Sequence, residues 1–301
     1  IRSGNIDFIL PLDQIAAELS RIQHHPFIAD VGKLRNSSGI GAARHEEIPE
    51  LLSEDEHFKT ILKLLRTTSG VDFSTYRDTT IKRRIVRRMV LHAKEGLGDY
   101  VELLEKDSTE AEALYNDLLI NVTSFFRDAE TFAIIKDKIL PQILKSKKPG
   151  ETIRFWVPGC STGQEAYSLA MLLLECLGDL PCPPVQIFAT DLSDTQALRR
   201  AREGFYPKSI ETEVSSERLS RFFTKENGGY CIDTRIKEMC IFAKHNVATD
   251  PPFSRVDFIS CRNLLIYLSL PLQRRVIPTF HYALNTEGFL LLGASETVGV
   301  F

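Results

Sequence analysis

From Ile153 onward the chain alternates between runs the length of a strand and runs the length of a helix, and this alternation constrains its fold most. Ile153 to Val157 reads as a strand and Gln164 to Leu177 as a helix. Val185 to Thr190 is a second strand, and Thr195 to Arg202 begins another helix. Strands that alternate with helices build a parallel sheet through right-handed crossovers. The rhythm breaks between Gly204 and Asn246. There Gly228-Gly229 stands beside Tyr230 to Ile232, and Met239 to Ala243 forms another strand-like run. We expect a small β insertion at about 206–245. The pattern resumes at Val256, and Phe289 to Leu292 supplies a final strand. The expectation is an α/β domain over 121–301.

The segment before it reads differently. From Phe58 to Asn121 every periodic stretch is helical: Phe58, Ile61, Leu62 and Leu65 share one face, Tyr100, Val101 and Leu104 a second, and Leu114, Leu118 and Leu119 a third. Gly70, Gly96 and Gly98 punctuate them. We expect an all-α domain over 58–120. Residues 26–57 carry few bulky side chains and read as a linker. Ahead of them, Ile6 to Leu10 suggests a short strand. Pro11 to Ile22 suggests an amphipathic helix with Ile15, Ala16, Leu19 and Ile22 on one side.

Composition excludes several classes. With 43% hydrophobic and 26% charged residues the chain is globular, and a net charge of −3 argues against a nucleic-acid sponge. No apolar run reaches the ~20 residues that span a bilayer, so membrane insertion is not expected. The six cysteines form no CxxC pair, which suggests neither a disulfide framework nor a metal site and makes a reducing cytoplasm the expected compartment. The start at Ile1 and the stop at Phe301 lead us to expect a fragment of a longer protein.

Chemistry is expected at the ends of the strands. In Phe155-Trp-Val-Pro-Gly-Cys-Ser-Thr-Gly-Gln-Glu-Ala-Tyr-Ser168 a strand closes, a loop containing Gly159 and Gly163 follows, and a helix begins near Gln164. Glycines let a ligand approach the backbone, and the helix N-terminus offers unpaired N–H groups. The loop has neither the lysine of a phosphate-binding loop nor the third glycine of the GxGxxG fingerprint. An adenosine ligand without phosphates fits it better than a nicotinamide dinucleotide. Asp191 closes the second strand, where an acidic residue accepts hydrogen bonds from ribose hydroxyls; capping of the next helix is the plainer alternative. Asn121-Val-Thr-Ser-Phe-Phe-Arg127 stands where the two expected domains join in sequence, and domain junctions favour ligand sites. Val256-Asp-Phe-Ile-Ser-Cys-Arg-Asn-Leu-Leu-Ile-Tyr267 is a buried strand that ends in polar Arg262 and Asn263. Within residues 77–94, seven lysines or arginines face one acid, and Arg83, Arg84, Arg87 and Arg88 fall in one arc of the helix. That arc suggests an acidic partner. No aromatic residue interleaves it to stack bases, which disfavours nucleic acid.

Together these motifs resemble the CheR family, the S-adenosylmethionine-dependent methyltransferases that modify glutamates of bacterial chemoreceptors. The resemblance rests on Asn121-Val-Thr-Ser-Phe-Phe-Arg127, Gly159-Cys-Ser-Thr-Gly-Gln-Glu165, Phe188-Ala-Thr-Asp191 and Cys261-Arg-Asn-Leu-Leu-Ile-Tyr267. It implies a Rossmann-like methyltransferase domain with a small β subdomain inserted, preceded by an all-α domain. It implies that Asn121, Thr123, Arg127, Gly159, Glu165, Asp191, Asn246, Val247, Asn263 and Leu264 surround the cofactor. Arg127, Arg262 and Tyr267 would then stand at the transferred methyl, and Arg83, Arg84, Arg87 and Arg88 would face the receptor's cytoplasmic domain. The stretch Phe223 to Tyr230 looks shorter than in members that bind a receptor C-terminal peptide. Residues 4–22 resemble the C-terminal tail of a CheB-type methylesterase, implying that residues 1–25 close a fused methylesterase module.

The implied reaction is attack of a receptor glutamate on the sulfonium methyl, giving a γ-methyl ester and S-adenosylhomocysteine. Neither a metal nor a general base is called for. The rival readings are an inactive S-adenosylmethionine-binding scaffold or sensor, and a methyltransferase acting on a small molecule or nucleic acid. The latter is disfavoured because Asp250-Pro-Pro-Phe253 precedes the Val256 strand instead of following it.

Overall fold

The computed structural model describes residues 9–28, 56–119, 122–178, 180–192 and 196–299. The chain divides into two compact units, Ile1–Ile120 and Asn121–Phe301.

In the first unit, α1 (Leu12–Gln23) precedes a helical group of α2 (Glu56–Ser69), α3 (Asp78–Leu91), α4 (Leu97–Lys106) and α5 (Ser108–Leu118). The group forms because each helix buries one stripe. Phe58, Ile61 and Leu65 of α2 meet Tyr100, Val101 and Leu104 of α4 and Leu114 and Leu118 of α5, all buried. Asp107 accepts the Thr109 N–H at 2.9 Å and so starts α5 immediately after α4 ends. Two expectations change here. The stripe on α1 is not core: Ile15 and Leu19 are exposed and no residue of the helix is buried. Its end is held by polar contacts instead, with Arg21 donating to the Val90 carbonyl at 3.0 Å. Ile9 and Leu10 form no strand, and Ile6 to Phe8 lie outside the described residues. So do residues 29–55, most of the expected linker.

The second unit opens with α6 (Ala129–Ile134), which widens into one π turn at Ile135–Ile139 and continues as α7 (Leu140–Ser146). Pro141 supplies no N–H and crowds the preceding carbonyls, which accounts for the wide turn just before it. The sheet then follows: β1 (Ile153–Pro158), α8 (Gln164–Leu177), β2 (Val185–Asp191) and α9 (Gln196–Glu203). An inserted segment carries β3 (Phe205–Pro207), α10 (Ser216–Phe222), β4 (Phe223–Glu226), β5 (Gly229–Ile232) and α11 (Thr234–Met239). The chain returns through β6 (Cys240–Lys244), β7 (Val256–Cys261), α12 (Leu270–Ala283) and β8 (Leu284–Leu292).

The main sheet has the order β6-β2-β1-β7-β8, and every pairing in it is parallel. Its strands are covered on both faces, so β7 is buried at all six positions and β1 at five. The insertion is a separate antiparallel sheet, β3-β5-β4. One boundary needs correction. The run at Met239–Ala243, expected inside the insertion, is largely the edge strand β6 of the main sheet, in register with Ile187 to Asp191. A short apolar run reads alike in either sheet; what decides its place is the long-range pairing with β2.

The strand order fixes where a ligand can sit. The chain runs outward from β1 through β2 to β6, then returns to the other flank for β7 and β8. In such sheets the crevice lies outside the carboxyl ends of the strands where the order reverses, here between β1 and β7.

Candidate active site

Four loops leave the carboxyl ends of β1, β2, β6 and β7, and all lie in the unit spanning Asn121–Phe301. The loop after β1 turns through Gly159 (φ +70°), Ser161 (φ +51°) and Gly163 (φ +91°). A side chain at Gly159 would place its Cβ 3.4 Å from Leu264 on the neighbouring loop. At Gly163 it would lie 3.0 Å from Ala201 and 3.1 Å from Phe242, so this glycine serves close packing as well as the turn. Asp191 ties the loop down, its Oδ2 accepting the Ser161 N–H at 2.8 Å. The Asp191 carbonyl accepts the His245 N–H at 2.9 Å and draws the loop after β6 to the same edge. In that loop Asn246 is spent on its own turn, with Oδ1 accepting the Ala248 N–H at 3.0 Å. Val247 beside it is half-buried.

A buried ionic cluster joins the other elements. Glu165, in the first turn of α8, accepts the Ser260 hydroxyl at 2.7 Å and Arg262 Nη1 at 3.1 Å. Arg262 also pairs with Asp128, donates to the Arg127 carbonyl at 2.9 Å, and lies over the Phe132 ring. Its side chain is only 2% exposed. Burial pushes the Glu165 carboxyl above its ordinary value, while Arg262, Ser260 and Arg127 pull against that rise. Arg262, expected at the transferred methyl, is engaged here with groups of the protein itself. Its donors bind a carboxylate, a second carboxylate and a carbonyl of the protein, so it positions the loop that carries Arg127.

That loop, residues 122–128, is clamped along its length. The Phe125 N–H donates to Glu213 Oε2 at 2.8 Å and the Phe126 N–H to Ser168 Oγ at 3.1 Å. The Phe125 ring packs edge-on against Tyr206 and Phe223 of the insertion. Thr123 and Arg127 are half-buried, and Arg127 Nη1 donates to the Val122 carbonyl at 3.3 Å. Asn121 lies outside the described residues. After β7, Asn263 takes a left-handed backbone (φ +57°), and Leu264 leads into a short helical turn ending at half-buried Tyr267.

The structure thus gathers Thr123, Arg127, Gly159, Glu165, Asp191, Val247, Asn263, Leu264 and Tyr267 at one end of one sheet. Arg83, Arg84, Arg87 and Arg88 are described apart from these residues. They belong to the first unit, where Arg87 pairs with Asp117, and Arg88 pairs with Glu110 and lies within 4.0 Å of Asp117. Arg88 is mostly buried, so part of the basic arc is structural. Sequence reasoning missed Asp128, Glu213, Ser260 and Glu296. Ser260 and Asp128 flank named motifs, and Glu296 follows a glycine just past the last strand, a position at which loops of this fold bind.

The site's chemistry is restricted. Its loop after β1 carries no cation for a phosphate. Cys160 and Cys261 are buried, and desolvation pushes both thiols well above their ordinary value, which leaves them poor nucleophiles. Among the described residues no group of three His, Cys, Asp or Glu side chains is placed to hold a metal. An acidic side chain at the end of β2, a glycine loop with its amides beside it, and apolar Val247 and Leu264 suit an uncharged nucleoside.

Comparison with known proteins decides the family. Residues 121–300 match the family described as CheR methyltransferase, SAM binding domain, and residues 56–119 match CheR methyltransferase, all-alpha domain. The chain belongs to the CheR methyltransferase family. The CheR match makes S-adenosylmethionine the cofactor of its α/β domain and makes that domain Rossmann-like, with an all-α domain before it. A chemotaxis protein methyltransferase of Escherichia coli is 30% identical, covering 82% of this chain and 86% of its own length. One from Listeria monocytogenes is also 30% identical, covering 83% and 92%. An uncharacterized 104.1 kDa protein of Rhodobacter capsulatus is 39% identical over 99% of this chain, and the chain spans 32% of that protein's length.

Proposed function

We propose that this CheR protein methylates glutamate side chains in the cytoplasmic domain of a chemoreceptor, forming γ-methyl esters and S-adenosylhomocysteine in chemotaxis-type signalling. The observation that carries the reading is how the polar groups around the crevice are committed. Glu165 is held by Ser260 and Arg262, Asp191 accepts the Ser161 amide, and the His245 ring bonds the Pro251 carbonyl at 3.0 Å. A site whose buried acid, Glu165, is already paired with Arg262 and Ser260 suits an acceptor that needs no deprotonation. A glutamate, with an unperturbed pKa of ~4.3, arrives ionised.

When bound, the cofactor supplies an electrophilic methyl group on a sulfonium. The protein's part is positioning and exclusion of water. Asp191 and the Gly159 loop would hold the nucleoside, and Val247 and Leu264 would offer it apolar contact. Asn263 and Thr123 orient the remainder. Arg127, carried on the loop that Arg262 fastens, steers the incoming carboxylate, and Tyr267 orients it. On this reading Arg83 and Arg84 contribute to the face that meets the receptor's cytoplasmic domain, and the protein acts in the cytoplasm. No helix among the described residues is long and apolar enough to cross a membrane. A methylesterase module joined ahead of residue 26 accords with the resemblance of residues 4–22 and with the greater length of the Rhodobacter relative.

The test combines calorimetry with S-adenosylhomocysteine and transfer of labelled methyl to receptor fragments. Binding together with base-labile label on glutamate supports the proposal. Binding without transfer supports the alternative, a sensor or scaffold that has lost catalysis.

A further inference from the structure

The turn that carries Asn263, Leu264 and Tyr267 is held by one carboxylate from outside it. Glu296 lies beyond the end of β8, in a turn closed by its own N–H on the Gly293 carbonyl at 2.9 Å. Its Oε2 accepts the Asn263 N–H at 2.9 Å and the Gly293 N–H at 2.7 Å. Its Oε1 accepts the Leu265 N–H at 2.7 Å. Four backbone amides on two loops, those of Gly293, Asn263, Leu265 and, at 3.4 Å, Ile266, thus converge on one side chain. Asn263 sits in the left-handed region, which asparagine tolerates better than most side chains but which still costs backbone energy that fixed amides help to offset. The amides flanking Leu264 are among those Glu296 holds, and Leu264 is the residue against which Gly159 packs.

Gly293 shows that the space is reserved for this carboxylate. It is buried, and a Cβ built there would lie 2.7 Å from Glu296 Oε2 and 3.3 Å from the Asn263 nitrogen. Any side chain at 293 would displace the carboxylate from both amides.

We infer that Glu296 is a positioning residue for methyl transfer: through Asn263 and Leu265 it sets the turn that presents Asn263 and Leu264 to the methyl donor and Tyr267 to the acceptor. The inference rests on the methyl-donor reading of this site. It separates two jobs that the end of β7 performs. Arg262 points back into the protein and fastens the 122–128 loop, whereas the residues after it are shaped from the far side by Glu296.

The experiment compares wild type, E296Q, G293A and the double variant in the full chain. Each is measured for S-adenosylhomocysteine affinity by calorimetry, for donor KM and kcat, and for exchange of the Asn263 and Leu265 amides. The E296Q amide keeps one acceptor oxygen but loses the charge that strengthens all four bonds. G293A leaves Glu296 intact and pushes it aside; its backbone conformation is open to alanine. Each single variant is expected to weaken S-adenosylhomocysteine binding and to raise donor KM about tenfold. Both amides should exchange faster, and the double variant should be no worse than either single one. A purely structural contact would lower the folded fraction and leave the affinity and KM of the folded protein unchanged. Wild-type affinity in both single variants, or losses that multiply in the double variant, would overturn the inference. G293A decides the matter if E296Q does not fold. If wild type itself binds no S-adenosylhomocysteine, the methyl-donor reading fails separately, and the amide exchange still reports whether Glu296 holds the turn.

Discussion

Replacing Arg262 by methionine removes the guanidinium but keeps most of the apolar stem, and the cost can be worked from the surroundings. The partner that matters is Glu165, whose side chain is 14% exposed, because Asp128 is 61% exposed and its arm is worth only ~0–1 kcal/mol. Taking away one member of a buried pair leaves an uncompensated charge and costs about 3–5 kcal/mol. That is a large part of the ~5–15 kcal/mol that holds a domain together. In the variant, Glu165 keeps only the Ser260 hydroxyl. Its carboxyl, already above the ordinary value of 4.5 through burial, rises further. The folded chain then holds a proton that the unfolded chain releases. The penalty is therefore full above the new folded-state pKa and shrinks as pH falls through it toward 4.5. Urea titrations of R262M across this range should show that convergence. Adding E165Q should recover about 2 kcal/mol relative to the sum of the two single changes. A pH-independent loss, or strict additivity, would show that the buried charge is not what Arg262 answers.

Three further outcomes follow from the same geometry. G163A forces a Cβ against Ala201 and Phe242 at positive φ and should cost about 1–3 kcal/mol, whereas G228A, at φ +88° in open space, pays only the backbone strain; thermal melts compare them. Y267F should lower kcat at least tenfold while changing S-adenosylhomocysteine affinity less than about twofold; equal activity would remove the orienting role given to Tyr267. In the first unit, desolvation works to raise the Glu110 carboxyl, but hydrogen bonds from Arg88 and Tyr100 and the charges of Arg88 and His92 outweigh it and hold the group below 4.5. Its stabilisation is present above pH 4.5 and lost as pH falls through the lowered value, so wild type and E110Q should differ by about 1.5–3 kcal/mol near neutrality and converge in acid.

What the sequence revealed and what it hid follow from the range of the interactions. Helix α8 is legible to the residue, Gln164–Leu177, because Gly163 and Gly178 bound it and the run Leu169–Leu174 in its middle is apolar. Asp191 and the Gly159 loop stand out because a strand end followed by glycines has few uses in a doubly wound sheet. By contrast, α12 carries Pro278 in its interior, and that proline masks the crossover leading to β8, which starts at Leu284 and not Phe289. The run at Cys240–Lys244 joins the main sheet through pairing with β2, which local pattern does not encode. The partners of Arg262 were hidden for a similar reason. An arginine at a strand end looks available until Asp128, 134 residues away in sequence, is seen to pair with it. Glu296 was missed because its partners are backbone amides, which no motif displays.

Esterification of receptor glutamates by this CheR protein can be read out by incubating it with S-adenosylmethionine and a chemoreceptor cytoplasmic fragment and sequencing the receptor peptides by mass spectrometry. One added methylene is expected on specific glutamate side chains, removed by mild base and absent when those glutamates are replaced by aspartate. S-adenosylmethionine binding without any modified glutamate, or a base-stable methyl on another residue type, would refute the proposed reaction.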